Sequence, residues 1–287
     1  MKRAAPFLAL AIAACSSGPD QGKGSTSKPA QSGAGYALRS NVTGASLVRL
    51  AELPSVKPLP ADQSWCDERF IAPKSAAGKL ASGKGWHVTQ EATFRQFQVV
   101  LVVRGLEAMT SGRCKGIDAN LAFFEGDRLV GVLFAKGKDG VAIDSVEQVG
   151  DHLRVWSPDP VAQGQVNLSG ANLSFDRVTG DDLVCGGKYR VPTAILSQTY
   201  PEARRTLAAA GWSPLPSKAE VDFGGDLRKR FPETDSCAGT GYGECGFTWI
   251  AADRLAAMSI TTLGGPDEPT MSGYSVACGG KAPERGS

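Results

Sequence analysis

The chain has 287 residues, 42% of them hydrophobic, with 31 Lys and Arg against 29 Asp and Glu and a formal net charge of +2. No run of five basic residues occurs, and the nearest, Arg228-Lys229-Arg230, reads as a solvated helix face. Nucleic-acid binding therefore has no electrostatic support. The length suits one large or two ordinary domains.

The first element is an export signal over residues 1–14. Lys2 and Arg3 precede a short apolar run, Phe7 to Ala14, which falls well below the ~20 residues a membrane-spanning helix needs. Its end, Ile12-Ala13-Ala14-Cys15, resembles the lipobox of bacterial lipoproteins. That resemblance implies cleavage before Cys15, a diacylglycerol on its thiol and, usually, acylation of the new amino group. An ordinary secretory signal with Ala-x-Ala cleavage would leave Cys15 unmodified. Each buried CH₂ contributes about 0.8 kcal/mol, so two or three chains anchor stably where one does not. In Gram-negative lipoproteins an Asp after the cysteine tends to retain the protein in the inner membrane. Ser16 therefore points to the outer membrane, with the membrane itself as a partner through the lipid; the expected location is its periplasmic face. Residues 16–35 hold no large apolar side chain. With Cys15 they form a lipidated flexible tether, 15–35, of about 25 Å r.m.s. span.

Residues 36–192 read as a mainly antiparallel β domain, sandwich or barrel-like. An edge strand near "ASLVRLAEL", a Pro-rich crossing and a strand near "GWHVTQEA" come first. From Phe94 the strand signals are stronger. "FRQFQVVLVVRGLE" is rich in β-branched and aromatic residues, and "ANLAFFEGDRLVGVLFAKG" reads as a hairpin turning at Glu125-Gly126-Asp127. "DHLRVWSP", "GQVNLSGANLSFDRV" and "DDLVCGGKYRVP" continue at similar spacing between Gly, Asp and Pro punctuation.

Residues 193–280 change character. Thr199-x-x-Glu202 is a capping box with Pro201 in the first turn and Gly211 as the stop, and Ala203, Leu207 and Ala210 share one face. A second capping pattern, Ser217 and Glu220, opens a helix broken or shortened by Gly224-Gly225. Three strand-like runs follow: "CGFTWIA", "LAAMSITTL" and "MSGYSVAC". The expected fold class is thus α+β, a β domain followed by a small domain of two helices on a three-stranded antiparallel sheet, then a disordered tail at 281–287. Over about 195–278 this order, with "GW" after the first helix, resembles the small lipoprotein of the outer-membrane β-barrel assembly machine and the repeats of β-lactamase inhibitory protein. It carries over no functional residue.

Without Cys15, six of the seven cysteines remain, an even set that reads as a disulfide framework in an oxidising compartment. Six cysteines allow 15 pairings. Proximity suggests Cys237–Cys245, and we then favour Cys66–Cys114 and Cys185–Cys278. The repeated "VCGGK" and "ACGGK" read more simply as two strand ends meeting at one disulfide than as a duplication. Without a C-x2-C pair or a nearby histidine, no metal site and no cofactor are expected.

Motifs that carry chemistry are sparse. "GKLASGKG", 78–85, nearly matches a phosphate loop but places Gly85 where a Ser or Thr hydroxyl should stand, and reads as a solvent loop. His152 follows Gly150-Asp151 at a turn and reads as exposed, while His87 beside Trp86 reads as a sheet-margin residue. Asp67-Glu68 and Asp181-Asp182 are adjacent, and neighbours on a strand face opposite ways. The five tryptophans read as core anchors. No catalytic residue is assigned. The expected function is a non-enzymatic, lipid-anchored envelope module that binds, scaffolds or assembles, with another envelope protein as its expected partner. One alternative is an inhibitor of a secreted enzyme presenting Thr240, Tyr242 and Glu244 from the Cys237–Cys245 loop. A second is an envelope hydrolase with dispersed carboxylates.

Overall fold

The computed structural model describes residues 35–137, 140–218, 225–239, 243–265 and 268–279. In chain order, two short strands, β1 (Ala37–Ser40) and β2 (Ala45–Val48), precede helices α1 (Ser64–Asp67) and α2 (Ala76–Gly83). A long hairpin, β3 (His87–Phe94) and β4 (Phe97–Val103), leads to a smaller one, β5 (Gly105–Ala108) and β6 (Cys114–Ile117). The predicted hairpin at Glu125-Gly126-Asp127 is β7 (Asn120–Glu125) and β8 (Arg128–Ala135), with Gly126 at φ +63°. Three more hairpins follow: β9 (Ser145–Val149) with β10 (His152–Trp156), β11 (Ala162–Ser169) with β12 (Asn172–Asp176), and β13 (Asp181–Val184) with β14 (Tyr189–Pro192). The chain then runs through a 3-10 turn (Thr193–Ile195), α3 (Tyr200–Ala209), β15 (Trp212–Pro214), α4 (Gly225–Arg230) and β16 (Thr234–Cys237). It closes with β17 (Cys245–Ala251), β18 (Ala256–Leu263) and β19 (Thr270–Cys278).

Two five-stranded sheets, β2-β8-β7-β4-β3 and β1-β12-β11-β10-β9, face each other as a sandwich. β4 shows why its sequence, "FQVVLVV", is almost continuously apolar. Phe97, Val99 and Leu101 point into the sandwich core beside Phe123, Leu153, Val155 and Phe175. Val100 and Val102 point the other way, onto Ala77 and Ala81 of α2 and onto Trp86. A strand covered on both faces loses the alternation of a half-exposed one.

β9 is the last strand of its sheet, and its outward peptide groups need partners. Gln90 of β3 supplies them at Val146: its Nε2 donates to the Val146 carbonyl at 2.7 Å, and its Oε1 accepts from the Val146 amide at 2.8 Å.

The expected α+β class does not hold. Strands take 47% and helices 13% of the described residues. The C-terminal sheet has five strands, β15-β17-β18-β19 with β16 also beside β17, accompanied by a ten-residue helix and a six-residue one. Its core holds Tyr200, Leu207, Phe247, Trp249 and Met258 and continues into Val149 of β9, Val184 of β13 and Val191 of β14. One apolar core thus crosses the point where the sequence changes character, and the described residues from Gly35 onward form one compact unit. The two added strands, "WSP" and "TDSC", are too short to display a period of two.

Helix α3 begins as its capping box requires. The Thr199 amide donates to Glu202 Oε2 at 3.1 Å, and the chain turns at Gly211 with φ +89°. α4 starts at Gly225; Glu220 and Gly224 lie outside the described residues.

Candidate functional site

The alternation of β10 divides its side chains. Leu153 and Val155 enter the sandwich core, which leaves His152, Arg154 and Trp156 on the opposite face, toward the C-terminal sheet. β9 places Glu147 directly opposite Arg154. From β13, Asp181 turns outward to Arg190 at 3.0 Å while Asp182 turns inward. Tyr274 arrives from β19.

These groups form a sealed network. The Arg154 side chain is 0% exposed and that of Asp182 1%. Arg154 Nη2 lies 2.9 Å from both Asp182 carboxylate oxygens, 3.4 Å from Gln165 Oε1 and 3.0 Å from His152 Nε2. The Tyr274 hydroxyl donates to Asp182 Oδ2. His152 Nε2 is also 3.1 Å from Asp182 Oδ1, so this one nitrogen either donates to Asp182 or accepts from Arg154. The guanidinium carbon sits 5.8 Å from the centroid of the Trp156 ring, and Nε and Nη1 have no hydrogen-bond partner among the described residues.

Burial sets the electrostatics. It pushes the Asp182 carboxyl up, but the His152 hydrogen bond, the Arg154 charge and the Tyr274 hydroxyl outweigh it and hold Asp182 below the ordinary range. The Tyr274 phenol is raised by burial and by the Asp182 carboxylate. Glu147 is also raised, because burial outweighs the Arg154 charge and the hydrogen bond with Trp156. A carboxyl with a raised folded pKa contributes stability below its unfolded pKa and loses that contribution as pH rises through the folded one. Glu147→Gln is therefore expected to gain stability relative to wild type between pH 4 and pH 7. Urea unfolding at both pH values checks it, and a wild-type advantage that grows toward pH 7 would contradict this assignment.

A surface cleft of about 780 Å³ lies over the network, lined by Gly150, Asp151, His152, Leu183, Gly186 and Gly187 among others. His152 is the network member that lines it, and Leu183, 54% exposed, supplies an apolar wall. Gly150 lies so close to the opposite turn that a Cβ there would sit 2.7 Å from the Leu183 carbonyl oxygen. Cys185, at φ +55°, ties the second turn to Cys278 at the end of β19. Asp182 and Arg154 stay out of solvent reach, so they are placed to join layers.

All three favoured cysteine pairs are present, with Cα separations of 5.8 Å for Cys66–Cys114, 5.4 Å for Cys185–Cys278 and 4.0 Å for Cys237–Cys245. Cys15, Thr240 and Tyr242 lie outside the described residues. Glu244 accepts from Arg113 with both carboxylate oxygens at 2.8 Å. This ion pair joins the residues next to two disulfides, Arg113 before Cys114 and Glu244 before Cys245.

Other sequence expectations change. His152 is buried, not exposed, because Asp182 and Arg154 close around it. His87 does stand at a sheet margin, as the first residue of the edge strand β3, where it stacks on Phe70 at 4.0 Å with Nε2 3.0 Å from the Leu59 carbonyl. The phosphate-loop-like stretch at 78–85 is largely helix α2. Four tryptophans are core anchors, whereas Trp65 is 50% exposed. Among the described residues no three His, Cys, Asp or Glu side chains gather as a metal site, and no helix is long and apolar enough to cross a membrane. Sequence reading passed over Arg154, though an arginine between Leu153 and Val155 in a strand so apolar signals a buried charge seeking a partner.

Comparison with protein-family models, with curated proteins and with solved structures gave no match.

Proposed function

We propose that this protein is a lipid-anchored module of the bacterial envelope, held at the periplasmic face of the outer membrane through Cys15, which binds or scaffolds another envelope protein. The three disulfides carry the reading, since such cross-links persist in oxidising compartments. The enclosure of Asp182 and Arg154 favours a supporting role for those groups over a reacting one. The Arg113–Glu244 pair likewise favours a structural role for the stapled turn.

Cys15→Ser is expected to move the protein from the membrane fraction to the soluble fraction of the envelope. Membrane retention of the variant equal to wild type would overturn the anchor. Crosslinking in intact cells, followed by identification of the attached chains, tests the second half. Recovery of defined envelope proteins supports it, and a protein that remains uncrosslinked at native abundance counts against it.

A further inference from the structure

A second concavity, about 460 Å³, opens where the sandwich meets the C-terminal sheet. Four separate segments contribute to its apolar lining: Val161 at the entry to β11, Val178 after β12, Leu196 after the 3-10 turn, and Met271 of β19. Its size falls within the roughly 300–1,000 Å³ of small-molecule sites, and its place between packed layers is a common one for them.

Two polar features distinguish it. Arg177 lines the concavity, is exposed, and has no hydrogen bond or ion pair among the described residues, so its guanidinium is free to meet a ligand there. None of the described lining residues is acidic. Ser197 adopts φ +77°, a left-handed conformation that favours glycine, and is held there by its amide donating to the Met271 carbonyl at 3.1 Å. Strained backbone of this kind concentrates at ligand sites.

We propose that this groove binds a medium-chain monocarboxylate, its carboxylate on Arg177 and its chain along Val161, Val178, Leu196 and Met271. One guanidinium matches one carboxylate in charge and in the planar fork of two parallel hydrogen bonds. The apolar side chains offer the chain a contact that a simple inorganic anion would not use. This binding goes beyond the envelope reading and stands whether or not Cys15 is lipidated.

The test is photocrosslinking of the full-length protein with octanoate bearing a terminal diazirine, mapped by peptide mass. Labelling is expected on peptides containing Val161, Val178, Leu196 or Met271. Excess octanoate should suppress it and octanol should not. Arg177→Gln, at an exposed position, is expected to lower labelling about tenfold or more, the loss of a charge-assisted contact, while the unfolding midpoint stays unchanged. Arg177→Lys, which keeps the charge without the fork, should fall between. Labelling confined to other peptides, no labelling at all, equal competition by octanol, or full labelling of Arg177→Gln would each overturn the assignment.

Discussion

Asp182→Ala is expected to lose about 3–5 kcal/mol of unfolding free energy, the range for breaking a buried ion pair from one side. Arg154 has no solvent to turn to, and two of its nitrogens already lack partners among the described residues. Removing the carboxylate leaves a buried charge uncompensated and takes the acceptor from the Tyr274 hydroxyl. Against a typical total of about 5–15 kcal/mol, that loss is a large share. Urea unfolding of wild type and variant measures it, and a difference below about 1 kcal/mol would show that the charge finds water. Replacing both partners by apolar residues, Arg154→Met with Asp182→Leu, should cost less than the single change. The pH dependence has a fixed sign. Because the Asp182 pKa is depressed in the fold, its contribution is present above the unfolded value and lost as pH falls through the folded one. The gap between wild type and Asp182→Ala should therefore close on acidification below about pH 4.

The second large effect concerns the disulfide between Cys185 and Cys278. It closes a separation of 93 residues, for which the chain-entropy model gives about 4–5 kcal/mol. Under the same model the 48-residue closure of Cys66–Cys114 gives about 4 kcal/mol, and the 8-residue closure of Cys237–Cys245 about 2–3 kcal/mol. Paired serine replacements should therefore lower the denaturant midpoint in that order. A reversed order would show that native-state packing, not loop closure, governs these bridges. Cys185–Cys278 also joins the strand carrying Asp182 to the strand carrying Tyr274, so its loss and Asp182→Ala should combine with less than additive effect.

Local chemistry was legible in the sequence wherever it acted alone. The Thr199–Glu202 capping box needs only residues three apart, and α3 starts there. The three closing strands show their runs of apolar and β-branched residues, and the Asp181-Asp182 alternation was readable from the period of a strand. Where tertiary contacts decide, the reading failed. Helix α2, "AAGKLASG", has few large apolar residues, and its start is held by Glu91 of β3 accepting from the Lys74 and Ser75 amides at 2.8 and 3.0 Å. The Arg154 network joins positions separated by 28 and 92 residues, a distance over which no local pattern operates. The α+β expectation failed because strands outweigh helices throughout and the short β15 and β16, invisible as periodic runs, enlarge the C-terminal sheet, while β13 and β14 add to the same core.

The Gln90 side chain of β3, seated against Val146 of β9, has a bearing on how the protein behaves among its neighbours. A strand at the margin of a sheet exposes peptide groups that a foreign strand can zip onto, which is how folded proteins begin to aggregate. A carboxamide carries two N–H donors and an acceptor oxygen, and Gln90 turns one donor and the acceptor to Val146, the same pair that an adjoining peptide would present. At Val146 that berth is already occupied by a side chain of the same molecule. An intruding strand would have to evict Gln90 before it could start a ladder there, so the fold carries its own guard against edge-to-edge growth near the start of β9.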